Sequence, residues 1–259
     1  MDTITGKLNQ LALRSKQNNQ LVWKIIQIFK NSKKNYGSPR IYKELRRQDI
    51  SISLNKVARL MHRNNIYTHY SAKHKKAKIA RNTSGFAFNI LNREFKTAKA
   101  NKKWVSDTTF IWTKQGWLYL AAIVDLYSSK VVGWSMSANN DTKLVSQALK
   151  MANNRKPKQQ EVLLHSNQGS QYRANNYLTL FKKYNIKQSM SRKGECHDNA
   201  VIESFFSTLK RELISMQSYE TRQKAKTDVF EYIETFYNKT RLHSYLNYQS
   251  PVEFEKKCL

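Results

Sequence analysis

Two acidic side chains and one amide, at Asp107, Asn167 and Glu203, are the groups of this chain best placed by context to hold a hard cation. Asp107 lies inside the apolar run Trp104-Val105-Ser106-Asp107-Thr108-Thr109-Phe110-Ile111-Trp112. Asn167 follows the short apolar stretch Val162-Leu163-Leu164, in His165-Ser166-Asn167-Gln168-Gly169-Ser170. Glu203 stands in Asp198-Asn199-Ala200-Val201-Ile202-Glu203-Ser204-Phe205-Phe206, with positions 168–202 between it and Asn167. Carboxylate oxygens suit Mg²⁺. Two divalent ions roughly 3.5–4 Å apart steady the attacking and departing oxygens of a phosphodiester. Asn167 weakens such a set, because its amide carbonyl brings no charge and its nitrogen end repels a cation.

The elements that must position these groups are legible from pattern. Residues 104–113, 117–125 and 130–136 are rich in Val, Ile, Trp, Tyr and Thr, which predicts three strands. Lys114-Gln115-Gly116 and Tyr127-Ser128-Ser129 supply hairpin turns between them. A helix is expected over about 142–152, a strand over 162–164, a helix over 175–184 and a short strand near 187–189. That order predicts an α/β, RNase H-like core, a mixed five-stranded sheet flanked by helices. Ile202, Phe205, Phe206, Leu209 and Leu213 then form one apolar helix face, leaving Glu203, Ser207 and Lys210 on another, with Asp198 as the expected N-cap. Gly169 is read as permitting a tight turn, and Asp125 as a turn cap. His165 reads as a DNA contact or a strand-end hydrogen bonder.

Upstream, residues 8–30 carry an amphipathic pattern. Ser38-Pro39 opens a second helix and Ser53 a third, the latter presenting Asn55, Lys56, Arg59 and Arg63 opposite Leu54, Val57, Leu60 and Met61. Short helices with a basic outer face suit a helix-turn-helix reader of double-stranded DNA, and equally any small helical pair with a solvated face. Residues 70–88 lose the pattern and gain Lys73, Lys75 and Lys76, a basic linker able to track a phosphate backbone. Near the C-terminus, Arg241 and His243 could meet phosphate or pack the tail against the core, and Ser250 to Glu253 forms a capping box. The expected division is 1–69 helical DNA-binding domain, 70–100 linker, 101–215 catalytic core and 216–259 helical, aromatic extension.

With 46 Lys and Arg against 18 Asp and Glu, the formal charge is +28. Such a charge calls for a polyanionic partner, nucleic acid before others, since basic side chains gain affinity by displacing condensed counterions. The two cysteines form no CxxC pair, so neither a disulfide framework nor structural zinc is expected, and His62, His69 and His74 have no cysteine partners nearby. No apolar run of about 18 residues predicts a membrane span. No signal peptide is read, and the expectation is a cytoplasmic, nucleoid-associated bacterial protein.

Asp107, Asn167 and Glu203, with their flanks and spacing, resemble the D,D(35)E core of insertion-sequence transposases related to retroviral integrases. Tyr36-Gly37-Ser38-Pro39-Arg40-Ile41-Tyr42, residues 237–244 and Ser250-Pro251-Val252-Glu253-Phe254 resemble further segments of that family. The resemblance implies a DNA transposase that binds terminal inverted repeats and joins 3′-hydroxyl ends to target DNA. It further implies two Mg²⁺ or Mn²⁺ ions held by Asp107, position 167 and Glu203, and Lys210 and Arg40 near DNA. A multimer on two DNA ends and an upstream-frame DNA-binding protein are the expected partners. The family has Asp where this chain has Asn167, so a loss on the order of a hundredfold or more in the chemical step is expected, with DNA binding preserved. The alternative is a catalytically lapsed, site-specific DNA-binding protein acting as repressor or end-holder. A basic RNA-associated protein would instead bind without preference for a DNA end.

Overall fold

The computed structural model describes residues 18–68, 87–192 and 195–257. The chain divides into two compact units at His74/Lys75. In the first, α1 (described over 18–31), α2 (Ser38–Arg47) and α3 (Leu54–Arg63) bury Ile25, Phe29, Ile41, Leu45, Val57 and Leu60. Apolar residues three and four apart share one helix face, which is why each helix buries a single stripe. Ser53 caps α3 as expected, accepting the Lys56 N–H at 3.2 Å. Ser38 does not cap α2. It is the first helical residue, Gly37 precedes it without a side-chain cap bond, and Pro39 falls in a first turn that needs no N–H donor. Asn55, Arg59 and Arg63 are exposed and Lys56 is half-buried. Arg40 sets its guanidinium 5.7 Å from the centre of the Tyr36 ring.

The second unit is built on a five-stranded sheet: β1 (Lys103–Ile111), β2 (Leu118–Asp125), β3 (Val131–Ser137), β4 (Val162–Ser166) and β5 (Ile186–Met190), in the spatial order β3-β2-β1-β4-β5. The first three strands pair antiparallel, and β4 and β5 run parallel to β1. The helices α4 (Thr142–Arg155) and α5 (Asn175–Lys183) belong to a core of Trp104, Ile123, Leu149, Tyr172, Tyr177 and Phe181. Asp141 caps α4 through the Leu144 N–H at 2.9 Å. On β3, a Cβ at Gly133 would overlap the Ala148 carbonyl and approach the Ala152 nitrogen at 2.8 Å, so only glycine lets α4 lie this close. This is the helix-flanked mixed sheet that the sequence predicts. Among the described residues, no helix is long and apolar enough to cross a membrane.

Downstream lie α6 (Ala200–Glu212), α7 (Arg222–Glu231), a π-helical turn over Tyr232–Tyr237 and α8 (Pro251–Lys257). This extension packs within the second unit. The Asn238 amide bonds both the N–H and the carbonyl of Val131 at 3.0 Å, which satisfies the first residue of the edge strand β3. The Ser250–Glu253 capping box forms as read. Asp125, fully buried, accepts the N–H groups of Asn101 and Tyr127 and the Trp104 indole N–H, the turn-capping role expected of it.

Arg241 and His243, read from the sequence as phosphate contacts or as tail packing, both turn inward. Arg241 is buried and forms a two-pronged pair with Glu212 at 2.7 and 2.8 Å, with the Tyr232 hydroxyl also donating to Glu212. Its guanidinium is committed inside the protein and cannot reach phosphate. His243 is buried edge-on to Tyr237, with ring centres 4.7 Å apart. Packing of the tail, the other reading of these residues, is the one realised.

Gly133→Ala is expected to lower the unfolding free energy by about 1–3 kcal/mol, read from the urea midpoint, because α4 must move off the sheet. Arg241→Ala leaves the Glu212 carboxylate buried and unpaired. It is expected to cost about 3–5 kcal/mol in the same measurement, with no change in the salt dependence of DNA binding for whatever protein remains folded.

Candidate active site

Parallel pairing of β1 with β4 runs from Lys103↔Leu163 to Ser106↔Ser166 and then stops. One residue further, side chains replace the backbone ladder. The Asn167 amide donates through Nδ2 to Asp107 Oδ1 at 2.5 Å, and the Thr108 N–H donates to the same oxygen at 2.7 Å. Asn167 Oδ1 accepts the Gly169 N–H at 2.8 Å, an Asx turn that fixes which way the amide faces. Gly169 has φ −56° and ψ 144°, a conformation open to any residue. Space, rather than backbone freedom, is what it provides: a Cβ there would stand 2.7 Å from the Gln171 side chain and 2.9 Å from Asn167 Oδ1.

Glu203 is exposed in the first turn of α6, while Ile202, Phe205, Phe206 and Leu209 are buried beneath it. Burial pushes the Asp107 carboxyl up to about 7, the Thr108 N–H opposes this, and the negative charge of Glu203 adds to the rise. Asn167 Nδ2 also favours the ionised form of Asp107, so it works against the same rise. Burial raises the Glu203 carboxyl as well, and His197 opposes it. Lys210, two turns along α6, holds its ammonium 4.8 Å from the centre of the Phe110 ring, and burial lowers its pKa. Asp107 therefore lies within electrostatic reach of Glu203 and in direct hydrogen bond with Asn167.

Asp198 is not the cap of α6. Asn199 occupies that position without a side-chain cap bond. The buried Asp198 carboxylate instead gathers Asn89 Nδ2 at 2.8 Å, Arg93 Nε at 2.6 Å, and the Arg192 backbone N–H and guanidinium at 2.9–3.2 Å. Burial disfavours its charge, but these donors outweigh it and hold the carboxyl well below the usual carboxylate range. Asn199 Nδ2 donates to the Ser106 carbonyl at 3.3 Å, tying the start of α6 to the residue before Asp107. Sequence reading missed this positioning role. The Asp198-Asn199 pair was visible, but its partner Arg93 stands 105 residues away.

His165 is fully buried, so it does not serve as a DNA contact. Ser189 Oγ accepts the N–H groups of Ile90 and Leu91, leaving its own hydrogen for His165 Nδ1 at 2.8 Å. That places the histidine proton on Nε2, and burial pushes its pKa down to about 4. The strand-end hydrogen bonder is the reading realised. Lys73, Lys75 and Lys76 lie outside the described residues.

Residues 97–196 and 203–259 match two integrase core domain families, and residues 16–74 match an HTH-like domain. The transposase for insertion sequence element IS904 of Lactococcus lactis is 42% identical over 236 residues, 90% of this chain and 92% of that protein. Transposase InsF for insertion sequence IS3A of Escherichia coli is 37% identical over 235 residues, 91% of this chain and 82% of its own length. A chain of the simian T-cell lymphotropic virus intasome shares the fold, with a TM-score of 0.51 at 12% identity over 89% of this chain and 74% of that one. Likeness of this extent, over an HTH-like domain followed by an integrase core, makes this chain a member of the DDE superfamily of insertion-sequence transposases.

Proposed function

We propose that this chain binds the terminal inverted repeats of an insertion sequence and acts there in metal-dependent strand cleavage and strand transfer, with Asn167 holding the chemical step at a low rate. The observation that carries this reading is the hydrogen bond from Asn167 to Asp107 at 2.5 Å, beside the charge of Glu203. Asp107, where β4 stops pairing with β1, and Glu203 on α6 press their charges on each other beside the C-terminal end of β4, a usual location for ligands in sheets of this kind. Among the described residues, no three of His, Cys, Asp and Glu converge as a metal group.

The donor set fits one divalent ion between Asp107 and Glu203, two hard oxygen donors whose mutual repulsion a cation would relieve. It does not fit a second ion. Asn167 turns its N–H₂ toward Asp107 and spends its oxygen on Gly169, and turning the amide over would break both bonds. When bound, that one ion would supply charge stabilisation at the reacting phosphodiester. The chain itself supplies the rest. β1 fixes Asp107, the Asx turn fixes position 167, and α6 presents Glu203 with Lys210 beside it for phosphate. In the first unit, α3 carries Asn55, Lys56, Arg59 and Arg63 toward a major groove, and the basic segment 70–88 follows the phosphate backbone, while Asn89 to Arg93 are tied to Ser189 and Asp198 of the core. Assembly on two ends involves more than one copy, in a nucleoid-associated state, with an upstream-frame segment as a further partner.

Asn167→Asp is expected to raise Mg²⁺-dependent joining of an oligonucleotide end by about a hundredfold or more. Unchanged, background-level joining by that variant, with end binding intact, would leave a DNA-binding protein without enzymatic function.

The raised Asp107 pKa also sets a pH dependence. Unfolded, the group ionises near 3.9; folded, near 7, so its contribution to stability is whole below about 4 and is lost as pH rises through 7. A divalent cation binds the ionised form and offsets that loss. Added Mn²⁺ is therefore expected to raise the unfolding temperature at pH 8 and to have little effect at pH 5.5. Equal shifts at both pH values would remove Asp107 from the site.

A further inference from the structure

Past Asp107, β1 outruns its neighbour. Pairing with β4 ends at Ser106, while pairing with β2 continues to Ile111↔Leu118, and the same register one step on sets Trp112 opposite Trp117. The turn that joins them closes with Thr113 Oγ1 donating to the Gly116 carbonyl at 2.7 Å, and Gly116 takes φ +94°, where glycine is needed. Three large aromatic side chains gather on this hairpin end: Trp112 on Trp117 with ring centres 4.7 Å apart, and Phe110 on Trp117 at 4.9 Å, both edge-on. They stay 58%, 42% and 52% exposed for Trp112, Trp117 and Phe110, although the sheet behind them is closely packed. An aromatic cluster left this open on a folded domain marks a binding surface more often than an accident of packing.

The chemistry around the cluster says what would cover it. Lys210, from the same face of α6 as Glu203, holds its ammonium 4.8 Å from the centre of the Phe110 ring of this cluster. Phe110 and Trp112 lie three and five residues beyond Asp107, roughly 10 and 16 Å along the strand, and the pleat turns both to the opposite face of β1 from Asp107, so a DNA strand would pass between them around the edge of β1 that β4 leaves unpaired beyond Ser106. Flat π faces beside a cation, on a chain of charge +28, suit a nucleobase and its phosphate better than an apolar protein face.

We propose that Phe110, Trp112 and Trp117 form a stacking platform for unpaired bases at a DNA end, with Lys210 holding the adjoining phosphate. The platform keeps the strands parted next to the Asp107–Asn167–Glu203 cluster and selects frayed or single-stranded ends over closed duplex. This rests on the reading of that cluster as the place where a DNA end is processed. Stacking tolerates any base, so the platform contributes end structure rather than sequence to recognition.

The test uses the full chain without divalent ions, so that no cleavage intervenes. One probe is a duplex with unpaired 3′ nucleotides carrying 5-iodouracil at the first unpaired position, and the other is the blunt duplex of the same sequence. The unaltered chain is expected to prefer the unpaired end and to cross-link within residues 110–117. Trp112→Ala with Trp117→Ala is expected to cut the preference about tenfold to a hundredfold, at unchanged unfolding temperature. Trp112→Phe with Trp117→Phe, which keeps the π faces and guards against a folding artefact, is expected to retain most of it. An alanine pair that keeps its preference, or cross-links that map elsewhere, overturns the platform. So does an alanine pair whose only change is its sedimentation, which would make the patch a contact between copies. Joining restored by Asn167→Asp with the end preference untouched by the alanine pair fails the platform alone. A lost preference with no joining by Asn167→Asp fails the enzymatic reading and leaves the platform standing.

Discussion

The parallel register between β1 and β4 is the constraint on which the rest of the site depends. Lys103↔Leu163 through Ser106↔Ser166 leaves no freedom in what comes next, so Asp107 and Asn167 emerge side by side. The backbone ladder ends at the point where two polar side chains begin. A slip of one residue would turn every side chain of β4 to the opposite face. The buried Val162 and Leu164 of β4 and the buried Trp104 and Val105 of β1 would then lose their partners. Hydrophobic burial along the paired stretch thus fixes a polar contact that itself contributes little to the fold.

Glu203 reaches this place by a different route, and the route is polar. The apolar face of α6 sets its rotation, but burial is non-directional and does not set its position along the sheet. Asn199 does, by donating to the carbonyl of Ser106, one residue before Asp107. Asp198 holds Asn199 in turn by collecting Asn89, Arg93 and Arg192 around one buried carboxylate. A buried charge is tolerated only when its donors are this complete. The exposed acid on α6 therefore depends on a buried acid five residues before it, just ahead of the helix, which never meets solvent.

Much of this was legible in the chain. Alternating β-branched and aromatic residues located β1 to β3, the 3.6 period located α4 and α6, and Asp107, Asn167 and Glu203 stood out by type and by flank. What the sequence hid were partners far apart in it. Arg241 resembles a phosphate ligand until Glu212, 29 residues earlier, closes on it. His165 reads as a surface contact until Ser189 takes its Nδ1. Asp198 has the residue type of a helix cap and sits where a cap would sit, yet Arg93 claims it. Each error has the same origin: a local pattern names a side chain's ordinary use, and a long-range ion pair or hydrogen bond overrides it.

Asn167 shows the tension between a stable site and a reactive one. A carboxylate at position 167 would face Asp107 at the distance where an amide now donates, with Glu203 close by, and like charges so placed raise one another's pKa or strain the fold. The amide exchanges that repulsion for two hydrogen bonds, one to Asp107 and one from Gly169. The groups that would draw a cation in are the groups that destabilise the chain without one. Neutralising the middle position relieves that cost, and under the proposed two-carboxylate reading of the site it would remove the pull on a second ion as well, so that stability gained there would be activity given up.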